Sequence, residues 1–153
     1  MRILLITDAW HPQKNGVVVT LTTVLEHIHD HEILVVHPSI AGAKPAFHIY
    51  HDVQLVRNPL HVVAKYLDSF EPDRIHLVTE GPLGIAGRIH CARRGPPFTS
   101  SYHTRLPEYG WHLYRVPPFL ARAGLRWFHR RSRKVLVPTP SLLAQLGYPN
   151  AVL

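Results

Sequence analysis

The sequence predicts a doubly wound α/β domain: a mostly parallel sheet of about six to seven strands with helices on both faces. Three observations predict it. Short continuous apolar runs recur along the 153 residues, as strands buried on both sides do. Between them, apolar residues step by three and four, as on one face of a helix. Gly, Pro and Asn punctuate the boundaries. Strands alternating with helices at this spacing are βαβ units, which build a parallel sheet.

The first run, Ile3-Leu4-Leu5-Ile6, is a buried strand that ends at Thr7-Asp8. A polar loop closes at Asn15-Gly16, and a helix follows with Val17, Leu21, Val24, Leu25 and Ile28 on one stripe. Residues 32–37 (EILVVH) form a second strand, 38–52 a loop, and Val53 to Val56 a third, weaker strand. From Pro59 the positions Leu60, Val63, Leu67 and Phe70 mark a helix stopped by Pro72. Residues 73–79 (DRIHLVT) are strand four. Glu80-Gly81-Pro82 turns into a helix ended sharply by Gly95-Pro96-Pro97. Phe98 to Tyr102 is strand five, and the helix from Pro118 to about Arg131 uses Leu120, Ala123 and Trp127 for the core. Val135 to Val137 is strand six, Ser141 caps a short helix through Gln145, and Ala151 to Leu153 begins a seventh strand.

Bulk properties narrow the classes. A hydrophobic content of 46% supports one domain with a real core. No apolar run approaches the roughly 20 residues of a membrane span, and the N-terminal run, interrupted by Asp8, is too short for a signal peptide. The single cysteine, Cys91, excludes an internal disulfide, reads as a packed small residue and fits a cytoplasmic setting. The net charge of +7 lies entirely in the last third: no acidic residue follows Glu108, while Arg115, Arg122, Arg126, Arg130, Arg131, Arg133 and Lys134 do. Such one-sidedness suggests an anionic partner. In the segment 119–131 arginines interleave with Phe119, Trp127 and Phe128. That pattern fits an anionic membrane surface; an ordinary packed helix with a solvated charged face is the competing reading. Nucleic acid is disfavoured, because no recognised binding motif accompanies the charge.

In a doubly wound sheet, ligands bind beyond the carboxyl ends of the strands. The loops there, 8–16, 80–82, 103–110 and 138–141, collect Asp8, Asn15, Gly16, Glu80, Gly81, His103, Arg105 and Glu108. Asn15-Gly16 at a helix start aims backbone N–H groups at an anion such as a diphosphate; alternatively, Gly16 only permits a tight turn. His103 fits hydrogen bonding to a ligand hydroxyl or phosphate, or positioning of a reacting group; among 13 histidines, the other reading is a ring satisfied by neighbouring backbone. Arg105 suits an anion clamp or a pair with Glu108. Glu80 suits acceptance from substrate hydroxyls or a place beside a helix N-cap. The alternating His27, His29 and His31 have no cysteine or carboxylate to complete a zinc pattern and read as solvated. No GxSxG and no Cys/His nucleophile pattern is present.

Four stretches, ITDAWHPQKNGVV (6–18), TEGPLGIAGR (79–88), FTSSYHTRLPEY (98–109) and VLVPTPSLLAQL (135–146), together resemble glycosyltransferase family 4. The nearest subgroup is similar to the GDP-mannose-dependent α-mannosyltransferases. The resemblance implies a GT-B enzyme of two Rossmann-like domains, of which residues 1–153 would be the N-terminal, acceptor-side domain, with the C-terminal donor-binding domain absent. It implies retaining transfer of a hexose from a nucleotide sugar such as GDP-mannose to a lipid or glycan acceptor, with no cofactor and no obligatory metal. His103 would be the catalytic-site histidine, and with Thr104 it would face the reacting sugar. Asn15 and Gly16 would approach the diphosphate and acceptor, and Gly81 belongs to the same binding set. Tyr102 would support the His103 loop, and Glu80, Arg105 and Tyr109 would shape the acceptor pocket. Val19 stands where the family pattern has an arginine. The chain alone is expected to be catalytically incomplete and cytoplasmic, with a candidate peripheral contact at the inner face of a membrane through residues 119–134. A non-catalytic binding module, or a truncated remnant that joins a separate donor-domain chain, is the alternative.

Overall fold

The structure, a computed structural model, describes residues 1–40, 45–48, 54–103 and 117–153. Strand β1 (Arg2–Ile6) sits inside a six-stranded sheet with β2 (Glu32–Val36), β5 (Arg74–Leu77), β6 (Phe98–Ser101), β7 (Val135–Leu136) and β8 (Ala151–Val152). The order is β2-β1-β5-β6-β7-β8, and every pairing is parallel. The register pairs Leu4 with Leu34 on one side and with Ile75 on the other.

Period-two alternation along β1 divides the core. Leu4 and Ile6 face α2 (Pro59–Phe70) and α3 (Pro82–Arg94), packing among Val63, Leu67, Leu83 and Ala86. Ile3 and Leu5 face α1 (Gly16–His27), packing with Leu21 and Val78. Both faces of β1 are therefore apolar, as its uninterrupted run requires. Helix α4 (Pro118–His129) adds Phe128 to the α2–α3 side. Its Leu125 joins Val135, Val137 and Leu142 of α5 (Pro140–Leu146) in a second cluster. Cys91 is packed inside α3, and burial pushes its thiol up to about 11. Gly95 ends α3 at φ +89, a left-handed position that glycine occupies without strain, and its N–H bonds Cys91 O at 2.9 Å.

Three expectations need correction. The stretch 38–52 is not all loop: Pro45–His48 is a strand, β3, paired antiparallel with β4 (Gln54–Val56). The weak third strand therefore lies in this separate two-stranded sheet. Pro45 masks the strand pattern, yet proline is tolerated at the first residue of an edge strand. Thr139, not Ser141, caps α5, its Oγ1 accepting from Leu142 N at 3.3 Å. Pro140 fits the first helical position, which places the cap before it. The core face of α4 is Leu125, Phe128 and His129; Leu120 and Trp127 are exposed. Both stripes have helical spacing, and only the sheet decides which one is buried.

Among the described residues no helix is long and apolar enough to cross a membrane.

Candidate functional site at the carboxyl edge of the sheet

The loop after β1 is anchored to the start of α3 by one side chain. The carboxylate of Asp8 accepts from Leu83 N at 2.9 Å, Gly84 N at 3.3 Å and Thr79 Oγ1 at 3.0 Å. Thr79 Oγ1 in turn accepts from Asp8 N at 2.8 Å. Asp8 is thus the N-terminal cap of α3, delivered from the loop after β1. Burial raises its carboxyl pKa, and the two helix amides and Thr79 oppose that rise. Gly81 lies against this carboxylate: a Cβ there would collide with the Asp8 side chain. Its missing side chain is required by Asp8.

Asn15 caps α1, its side-chain oxygen accepting from Val17 N at 3.1 Å and Val18 N at 3.0 Å. Its amide nitrogen donates to Gln13 Oε1 at 3.1 Å, and buried Gln13 donates onward to Asp8 O at 3.2 Å. Gly16 is the first helical residue; its φ is not positive, and a Cβ built on it meets nothing within 4 Å. A tight turn therefore does not explain Gly16. With Asn15, Lys14 and His11 it lines an open cleft of about 820 Å³.

Glu80, after β5, is held by a residue that sequence reasoning missed. Its Oε1 lies 3.2 Å from His129 Nε2, and the two side chains are 7% and 0% exposed. His129 Nδ1 is 2.8 Å from Ser100 Oγ, and Ser100 Oγ is 2.6 Å from Ser132 Oγ. Serine, histidine and carboxylate in this order resemble a hydrolase triad. Ser100 is fully buried, however, so a substrate does not reach its hydroxyl and the set is no nucleophile. Tyr102 is buried just beyond β6, its ring 5.7 Å from that of His129 and its N–H bonding Leu136 O at 2.9 Å.

His103 follows Tyr102 and is half-buried. Burial lowers its pKa, while the nearby Glu80 charge acts in the opposite direction. It lines a mostly apolar cavity of about 440 Å³ beside α1 with Leu21, Val78, Leu136 and Val137. The same cavity holds His76, whose ring is fixed by Thr99 Oγ1 at 2.7 Å and Ser101 Oγ at 2.8 Å. Burial drives His76 down to about 4, so its ring is neutral at pH 7.

The structure therefore puts Glu80 and His103 at the ends of neighbouring strands, with the Glu80 charge acting on the His103 ring. It places Asn15 and Gly16 in a different cleft of the same edge, joined to Gly81 through Gln13 and Asp8. Thr104, Arg105, Glu108 and Tyr109 lie outside the described residues. His129 carried no sequence signal, since one histidine on an arginine-rich helix looks solvated. Among the described residues, no group of three or more His, Cys, Asp or Glu is placed to hold a metal ion.

A parallel α/β sheet with polar and titratable groups gathered at its carboxyl edge is a domain of the doubly wound class, in which that edge is the usual place for a ligand. Residues 14–147 match the profile of Glycosyltransferase Family 4, and the chain belongs to that family. A GDP-mannose-dependent alpha-mannosyltransferase of Mycobacterium tuberculosis is 32% identical over 98% of this chain and 46% of its own length. Proteins of the same name from Mycolicibacterium smegmatis and Corynebacterium glutamicum are 28% and 25% identical, over 44% and 40% of their lengths. The chain thus spans less than half of each of these relatives.

Proposed function

We propose that this chain is the acceptor-side, N-terminal domain of a retaining hexosyltransferase of the GT-B type, with GDP-mannose as donor and a lipid or glycan hydroxyl as acceptor. The observation that carries the reading is that His103, in the cavity beside α1, and Glu80, clamped by His129, follow strands β6 and β5 at the carboxyl edge of the sheet, in a chain similar to proteins named for GDP-mannose. In the reaction the bond from sugar C1 to the diphosphate breaks, a bond from the acceptor oxygen to C1 forms, and GDP leaves with the acceptor proton passed to a base or water. Glu80 accepts a hydrogen bond from a substrate hydroxyl. His103, favoured neutral by burial, hydrogen-bonds the reacting sugar. The Asn15-Gly16 helix start lies against the diphosphate, with no Cβ in its way. The family resemblance assigns Thr104 to the reacting sugar and Arg105 and Tyr109 to the acceptor. The donor is held chiefly by a second domain, so the 153 residues alone transfer no sugar, because the transition state needs groups from both sides.

A chimera tests this. The 153 residues replace the matching segment of the M. tuberculosis relative, and mannosyl transfer from GDP-mannose is assayed. Transfer that falls at least a hundredfold with His103→Ala is expected. A folded chimera that binds GDP-mannose yet transfers nothing overturns the reading, as does robust transfer by the isolated chain.

A second observation favours peripheral attachment to the inner face of an anionic membrane. Helix α4 exposes Phe119, Leu120 and Trp127 beside Arg122, Arg126 and Arg130. Apolar and aromatic side chains among cations are what a headgroup layer accommodates.

A further inference from the structure

We propose that His129 is a positioning residue for Glu80: the buried relay Ser132–Ser100–His129 orients the imidazole so that its Nε2–H holds the Glu80 carboxylate beside His103. The role deepens the acceptor-side reading given above, on which its link to substrate rests.

The donors and acceptors close without a gap. An ionised carboxylate only accepts, so the 3.2 Å contact from His129 Nε2 to Glu80 Oε1 requires a hydrogen on Nε2. Ser100 Oγ, 2.8 Å from Nδ1, serves either state of the ring, donating to a neutral imidazole or accepting from a charged one. Ser132 Oγ, 2.6 Å further on, fixes the Ser100 hydroxyl. Aromatic rings pack around the imidazole: Phe128 meets it edge-on at 5.0 Å between centroids, and Tyr102 lies 5.7 Å away. The backbone behind it is pinned as well, because Asn150 Nδ2 donates to His129 O at 3.2 Å and Ser132 O at 2.7 Å. A charge-assisted bond shielded from water is both strong and directional. One carboxylate lone pair is spent on His129, and a carboxylate offers about four. The remainder serve a substrate hydroxyl.

His103 reports where the Glu80 charge lies. Glu80 raises its titration midpoint, and among the described residues His76, on β5, also interacts with it electrostatically. The midpoint of His103 is followed by NMR on the 153-residue chain. Glu80→Gln lowers it. His129→Leu lowers it toward the Glu80→Gln value, since a released carboxylate turns to water. His129→Gln, whose amide N–H can still donate to Glu80, keeps the wild-type midpoint. If His129 only fills space, folded His129→Leu titrates as wild type, and that result overturns the proposal. So does a His129→Gln midpoint displaced as far as that of His129→Leu. Should His129→Leu not fold, Ser100→Ala takes its place: loss of the relay lowers the midpoint, and an unchanged midpoint overturns the relay. These titrations involve no substrate, so they fail separately from the acceptor-side reading. That reading falls if Glu80→Gln transfers mannose with an unchanged KM in the chimera.

Discussion

The amide of Leu83 donates to Oδ1 of Asp8 at 2.9 Å across 75 residues of sequence, so the first turn of α3 is closed by a side chain from the loop after β1. The same carboxylate takes Gly84 N and Thr79 Oγ1. Asp8→Ala leaves two buried amides and a hydroxyl without their partner. A loss of about 2–3 kcal/mol in urea unfolding is expected, since each unsatisfied buried donor costs roughly 1 kcal/mol or more. Asp8→Asn keeps one acceptor oxygen and should lose about half as much. Equal losses for the two variants would show that the cap is not what the carboxylate supplies.

Two glycines at this edge separate fold from function. A methyl at Gly81 runs into the Asp8 carboxylate, whereas one at Gly16 meets open space. Gly81→Ala should therefore lower stability by about 1–3 kcal/mol, the range for overpacking a filled site. Gly16→Ala should leave the melting temperature unchanged or slightly raised, because alanine is the better helix former. In the chimera it should weaken GDP-mannose use, as its methyl intrudes where a ligand approaches the helix start. A Gly16→Ala protein with wild-type KM would remove Gly16 from the binding surface.

Much of this architecture is legible because it rests on local regularities. The β1 run must be buried on both faces, and the pattern from Pro59 to Phe70 with Pro72 behind it admits little but a helix. What escaped sequence reasoning depends on partners far away in the chain. Trp127 looks like core until Arg88, itself 4% exposed, is seen stacked on its ring at 3.5 Å, leaving Phe128 and His129 to face the sheet. Asp8 and Glu80 are recognisable as polar residues at strand ends, but their roles as cap and clamped carboxylate appear only once Leu83 and His129 are beside them. Strand β3 is hidden for the opposite reason: it is short and begins at a proline, whereas its partner β4 falls within the weak strand read at 53–56.

Acid should destabilise the fold through His76. Its pKa is held near 4 by burial, below the ordinary 6.5, so between these values the unfolded chain takes up a proton that the folded chain refuses. Stability is constant above pH 6.5, falls as pH drops toward about 4 and levels off below it, as far as this group is concerned. The shift corresponds to about 3 kcal/mol. His37, His90 and His103 are lowered too and act in the same direction. His76→Gln, which can still bond the Thr99 and Ser101 hydroxyls, should flatten the decline between pH 6.5 and 4.5 in urea melts. A decline as steep as in the wild type would place the proton uptake elsewhere.

The exposed face of α4 makes a prediction about surfaces. Arg122, Arg126 and Arg130 line one shallow groove with Phe119 and Trp127, and Phe119 is 69% exposed. An arginine near an anionic bilayer contributes about 1 kcal/mol, so three should contribute roughly 3 kcal/mol, or more than a hundredfold in partitioning. The chain should co-sediment with vesicles containing phosphatidylglycerol and not with vesicles of phosphatidylcholine alone. Raised salt should weaken that binding, since the field of a charged surface is screened within about 10 Å at 0.1 M salt. Replacing the three arginines by glutamine should abolish binding while leaving the far-UV spectrum unchanged, because none of them is buried. Phe119→Ala should weaken binding at every salt concentration, as an inserted apolar group is not screened. Equal binding to neutral and anionic vesicles, or binding that survives loss of all three arginines, would exclude α4 as an electrostatic membrane anchor.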